Sequence, residues 1–177
     1  MRIKGFFTRR VVASVCMLGM TAAPPRALAA DNVTASINLS VPALVRVYGI
    51  GNLPLGTYTG APEGVTANDN VCVWSNQSSG NYKVTARGSG EEDAFTLSNG
   101  SGGILPYEVR WNNSTSTVGN VALTKGVQSS TFSIASRPPS VCSGSENANF
   151  QVLISRTELL KVAAGAYSGV LTLVISP

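Results

Sequence analysis

The sequence predicts an all-β fold, an antiparallel β-sandwich, and three observations carry that prediction. Short stretches of alternating apolar and polar residues recur along the chain, from "VTASINLSV" (33–41) to "VLTLVIS" (170–176). That period of two places every second side chain on one face of an extended strand. Turn-forming runs such as "QSSGN", "GSGEED" and "LSNG" punctuate these stretches, and only 12% of the residues are charged. Gly, Ser, Thr, Asn and Val dominate, a mixture that favours strands and turns over helices. Nine or ten short strands separated by turns are expected to stack as two antiparallel sheets.

The chain opens on a segment that does not belong to this fold. Arg2, Lys4, Arg9 and Arg10 form a basic start, residues 11–20 an apolar core, and Ala27-Leu28-Ala29 a small-residue cleavage site. Residues 1–29 therefore read as a secretory signal peptide, too short in its apolar run to span a membrane. Removing it leaves 148 of the 177 residues, room for one domain with a real core. Five of the 13 basic residues lie in the leader (Arg2, Lys4, Arg9, Arg10, Arg26) and none of the nine acids does. Eight basic residues then face nine acids, so the exported chain is near −1 and carries no basic patch for nucleic acid.

The elements follow in order. Residues 33–41 alternate with Val33, Ala35, Ile37, Leu39 and Val41 on one side. "ALVRVYG" reads as a strand, "NLPLGTYTG" as a short bent segment, and residues 61–69 as a loop. "NVCVWSN" (70–76) and "YKVTARG" (82–88) are strands that the intervening "QSSGN" would join as a hairpin. "AFTLSNG" is short. "ILPYEVRWN" puts Leu105, Tyr107, Val109 and Trp111 on one face, with Pro106 at an edge. "VALTKG", "STFSIAS" and "NFQVLIS" are further strands, and "RTELLKVAAG" holds one or two helical turns. The closing strand, 167–175, sets Leu171, Leu173 and Ile175 on one face. No repeat or linker divides the domain.

Two cysteines remain after the leader, Cys72 and Cys142. In an oxidising compartment they read as one disulfide. Closing a loop of about 70 residues contributes about 4 kcal/mol in the chain-entropy model. No C-x-x-C pair points to redox work.

The residues argue against an enzyme. The chain has no histidine, which removes His-based triads, His metal sites and the usual general base. Neither Cys/His metal spacing nor a Ser-x-x-Lys arrangement occurs in the exported chain. Glu91, Glu92 and Asp93 read as a solvated turn, because adjacent acids point apart, and Asp69 between two asparagines reads the same way. No cofactor, metal or small-molecule substrate is expected.

Several segments in this order resemble one family. "LPLGTY" (53–58) lies early, "GAYSGVLTLVI" (165–175) lies at the end, and "GNYKVTARGSG", "FTLSNG" and "LPYEVRW" lie between. The chain resembles the subunits of bacterial chaperone–usher pili, and within them the spore coat protein U-like branch. The spacing of Cys72 and Cys142 departs from pilins, whose disulfides usually tie early strands together. The resemblance implies an immunoglobulin-like sandwich that lacks its last strand and is completed by a donor strand. It implies an extension at 30–42 ahead of a domain at 43–177. The donor side chains would be Val33, Ala35, Ile37, Leu39 and Val41. The groove would be bordered by Tyr167, Leu171, Leu173 and Ile175. The implied partners are identical or related pilin subunits, a periplasmic chaperone and an outer-membrane usher. The implied route is export to the periplasm and then to the cell surface. The physics suits such an exchange: Val33, Ile37, Leu39 and Val41 would each contribute about 1.5–3 kcal/mol on full burial, offset in part by ordering the segment. The competing expectation is a self-contained secreted binding module, for instance for carbohydrate, with 33–41 as its own first strand. Trp74, Trp111 and the tyrosines are the candidates for a sugar-binding face, although Trp111, on the alternating face of its strand, reads as core.

Overall fold

The computed structural model describes residues 35–134, 142 and 146–177. The signal peptide expected at 1–29 and Val33 at the head of the alternating segment lie outside the described residues. The compact domain begins at Ser40.

That domain holds ten strands among the described residues. They are β1 (Val45–Tyr48), β2 (Val65–Ser75), β3 (Asn81–Gly88), β4 (Thr96–Ser98) and β5 (Ile104–Pro106). Then follow β6 (Glu108–Asn112), β7 (Val121–Ala122), β8 (Phe132–Ser133), β9 (Ala148–Ile154) and β10 (Leu171–Ser176). One sheet runs β1-β2-β9-β6-β7, a second β10-β3-β8, and β4 pairs with β5 alone. Every named pairing is antiparallel. A four-residue helix, α1 (Arg156–Leu159), is capped by the Ser155 hydroxyl, which accepts from the Glu158 amide. The antiparallel sandwich expected from the sequence is the observed fold.

The alternation decides which face each strand buries. Val71 and Val73 of β2, Val109 and Trp111 of β6, and Phe150, Val152 and Ile154 of β9 face inward from the first sheet. Tyr82, Val84 and Ala86 of β3 and Phe132 of β8 meet them from the second. The two layers are tied at the centre by one polar contact. Trp111, fully buried, donates from its indole nitrogen to the Tyr82 hydroxyl at 3.2 Å. Their rings meet edge to face at 6.4 Å, a favoured aromatic geometry. Phe132 lies 5.8 Å from Tyr82 on the other side.

Two expectations are corrected. Strands 70–76 and 82–88 do not form a hairpin: β2 pairs with β1 and β9, while β3 pairs with β10 and β8. Their buried faces point at one another from opposite sheets, so the turn at 76–80 crosses the sandwich. The loop expected at 61–69 is in its second half strand: Val65–Val71 pairs in register with Ile154–Ala148. Asn68, Asp69 and Asn70 are poor strand formers by composition, but the β9 ladder supplies their backbone partners. The alternating face of 105–111 is buried throughout, although β5 and β6 belong to different sheets on either side of Tyr107.

Cys72 on β2 is bonded to Cys142, with 5.9 Å between the α-carbons. Serine at both positions is expected to lower stability by about 2–4 kcal/mol. Denaturant unfolding of the oxidised chain and the double variant measures the difference, and equal midpoints would refute it.

Candidate acceptor groove

The edge of the sandwich between β1 and β10 is where the core stays open. Four residues of β1 pair with the last four of β2, leaving Val65–Val71 without β1 alongside. The chain between β1 and β2 forms no strand. It nevertheless turns Leu53 and Leu55 inward, half-buried, with Pro54 exposed between them. Gly56 ends this lip at a φ of +73°, a left-handed conformation that a side chain would strain. Tyr58 then closes the turn, its hydroxyl donating to the Ala61 carbonyl at 3.1 Å.

The opposite rim is β10. Among the described residues it sits at the end of its sheet and pairs with β3 only. Its other edge therefore offers backbone donors and acceptors, the template on which another strand pairs. Leu171, Leu173 and Ile175 lie half-buried on the inner side, Thr172 and Val174 exposed on the outer. The approach to this strand is tight. A β-carbon on Gly169 would come within 2.9 Å of the Thr96 carbonyl and 3.1 Å of Leu97, so glycine lets the segment before β10 press against β4. Reciprocal backbone bonds between Ser98 and Ser168, at 2.9 and 3.0 Å, fix it there.

Between the rims lies a cleft of about 240 Å³ with Leu53, Leu55, Leu171 and Leu173 at its sides and Tyr107, Phe150 and Val152 below. It adjoins a wider cleft of about 770 Å³ that shares Leu55 and Leu97 and continues past Val65, Ile154 and Leu159 to Tyr167. Among the described residues, no Asp, Glu, Lys or Arg lines either one. On the floor of the narrower cleft the Tyr107 phenol is stacked 5.6 Å from Phe95, and burial pushes its pKa above the usual 10.0. It stays neutral at physiological pH. Such a surface takes apolar side chains and, along β10, a backbone partner.

Of the closing-strand residues, Leu171 and Leu173 line the narrower cleft and Ile175 packs against the core. Tyr167 precedes β10, which starts at Leu171, and lines the wider cleft. Its hydroxyl donates to the Ala163 carbonyl at 3.0 Å and accepts from the Asn99 amide at 3.4 Å. On the alternating N-terminal segment, residues 35–41 form no strand, and Ile37, Leu39 and Val41 are 93%, 88% and 67% exposed; Ala35 is exposed as well. Sequence reasoning missed Leu53 and Leu55 as groove residues. The signal was present in the Leu-Pro-Leu alternation, but the breakers around it read as a bend.

The other candidate features are structural. Trp111 is fully buried and unavailable to a sugar, and Trp74 is half-buried beneath the Arg46 guanidinium, 6.0 Å from its ring centre. Glu91–Asp93 form a 3₁₀ turn in which Asp93 pairs with Arg87, and Glu92 with Lys125 at 3.7 Å. These pairs are solvent-exposed and contribute little. Asp69 lies within β2, its carboxylate accepting from the Asn70 amide.

No family model matches the sequence, and no curated protein does. A solved structure does match in fold. The work it comes from describes a chaperone–tip adhesin complex vital for synergistic activation of CFA/I fimbriae biogenesis. The TM-score is 0.50 at 14% identity. The match covers 75% of this chain and 42% of the other, so this chain spans less than half of its neighbour's length. The two share a fold. With the neighbour so distant in sequence, the likeness extends to the β-sandwich and no further.

Proposed function

We propose that this protein is a structural subunit of a surface pilus, assembled by donor-strand exchange on a chaperone–usher route. The segment 33–41 of one copy fills the groove of the next. One observation carries the reading: the two segments that resemble the spore coat protein U-like pilins face each other across one open apolar cleft. "LPLGTY" supplies Leu53 and Leu55 on one lip, and "GAYSGVLTLVI" supplies Leu171 and Leu173 on the other. The N-terminal segment complements that cleft. Its apolar residues recur every second position, are highly exposed at 37, 39 and 41, and carry no charge, matching a groove without charged residues. A strand laid along β10 adds main-chain bonds and buries alternate side chains, the β-augmentation mode. β10 spans about 20 Å at about 3.3 Å per residue, within the reach of a nine-residue segment.

The partners in this reading are further copies or related subunits, a periplasmic chaperone that covers the groove in transit, and an outer-membrane usher. The signal peptide takes the chain to the periplasm and the filament holds it at the cell surface. The role is structural and not enzymatic. A fimbrial neighbour in fold is in keeping with it.

Because the contact is head to tail, it propagates instead of closing, and donor and acceptor can be disabled separately. Leu39→Asp places a charge on the donor and Leu173→Glu one in the groove. Each variant alone is expected to form no filament, since an unpaired charge in an apolar site is strongly disfavoured. Mixed, they are expected to stop at a heterodimer, because one intact donor meets one intact groove. Size-exclusion chromatography with light scattering reads the result. Filaments from either variant alone, at the wild-type rate, would refute the assignment.

A further inference from the structure

We infer that Asn76 is a positioning residue: it fixes the direction in which the N-terminal segment leaves the domain, and so sets the stiffness of the filament. The inference rests on the donor-strand reading above. The β1–β2 ladder ends at the pair Val45 and Ser75. One residue further on, Asn76 continues it in two ways. Its backbone amide donates to the Leu44 carbonyl at 3.1 Å. Its side chain then does what a following strand residue would do: Oδ1 accepts from the Leu44 amide at 2.8 Å and Nδ2 donates to the Pro42 carbonyl at 2.9 Å. A single residue thereby holds three backbone groups of residues 42–44.

Pro42 makes the clamp complete. It has no amide hydrogen to satisfy and its ring locks φ, and it holds Val41 before it in an extended conformation. The exposed apolar residues Ile37, Leu39 and Val41 come directly upstream. If 33–41 docks in a neighbour, the backbone that joins two domains passes from docked strand to clamped residue with no free linker between. Asparagine suits this work because its short amide presents one acceptor and one donor. Aspartate keeps the acceptor and loses the donor.

Without the clamp, residues 42–44 become a linker of about 10 Å at full extension, and the junction bends freely. Asn76 lines neither cleft, so docking itself should persist. The test is electron microscopy of filaments grown from the purified exported chain. Asn76→Ala is expected to shorten the persistence length by about twofold or more, with Asn76→Asp in between. Binding of a synthetic peptide spanning 33–41 to chains that lack residues 31–41 should match with and without the substitution. If Asn76→Ala fails to fold, Asn76→Asp decides on the same readout. Asn76→Ala filaments as straight as wild type overturn the inference and leave the donor-strand reading standing. Absence of filaments from the wild-type chain overturns both.

Discussion

Trp111→Ala is expected to lower the stability of the domain by about 3–5 kcal/mol, the usual range for emptying a large buried aromatic site. Trp111 is the largest of the fully buried side chains and belongs to β6 of the five-stranded sheet. Its indole nitrogen reaches across the core to Tyr82 on β3 of the other sheet. Truncation removes the packing of both layers at one point and leaves the Tyr82 hydroxyl buried without that partner. A domain of this size holds about 5–15 kcal/mol in all, so the loss takes a large share of it. Tyr82→Phe tests the polar half of the contact alone. It strands the indole N–H and is expected to cost about 1–3 kcal/mol. Urea unfolding at neutral pH distinguishes the three proteins, and a Trp111→Ala loss below about 1 kcal/mol would contradict the account.

The same pair predicts an alkaline limit. Burial raises the Tyr82 phenol to about 12, although the hydrogen bond from Trp111 pulls the other way. The folded value then lies above the unfolded 10.0. Below that pH the phenol is protonated in both states and the stability is fully present. As pH rises from 10 toward 12 the unfolded chain ionises first, so stability falls. Tyr107 shifts in the same direction. Tyr82→Phe should flatten part of this limb.

What was legible in the sequence follows from what is local. A period of two fixes which side chains share a face, so the inner residues of β3, β6 and β10 were readable before any partner was known. The disulfide was readable because the sequence has two cysteines outside the signal peptide expected at 1–29. Pairing partners are not local. Tyr82, Val84 and Ala86 turn to the core together with Val71 and Val73 in either arrangement, side by side in one sheet if the strands form a hairpin or face to face if they cross between sheets, and only the ladders separate the two. The strand at Val65–Val71 was hidden because its polar run gains its backbone partners from β9, some 80 residues away. Asn76 carried no sequence signal beyond a polar residue at the end of a strand. Its meaning lies in the carbonyl of Pro42, 34 residues earlier. At the groove, Leu171 and Leu173 came from alternation, whereas Leu53 and Leu55 needed the tertiary path of the lip.

The central claim is that the groove between the lip and β10 is filled by the segment 33–41. Moving that segment tests it. A chain in which residues 31–41 are transferred to the C-terminus behind a short flexible linker can fill its own groove, at an effective concentration that outcompetes a neighbour. Burying Ile37 and Leu39 alone would contribute about 3–6 kcal/mol before the cost of ordering the segment. The thermal midpoint is expected to rise by about 10 °C over the chain that simply lacks residues 31–41. The deleted chain, with an empty groove and no donor, should neither polymerise nor donate. The deciding measurement is the mass distribution of the three proteins, native, deleted and transferred, by light scattering after identical incubation. The account predicts filaments from the native chain, and a stable monomer from the transferred one. Normal filaments from the chain lacking residues 31–41 would contradict it.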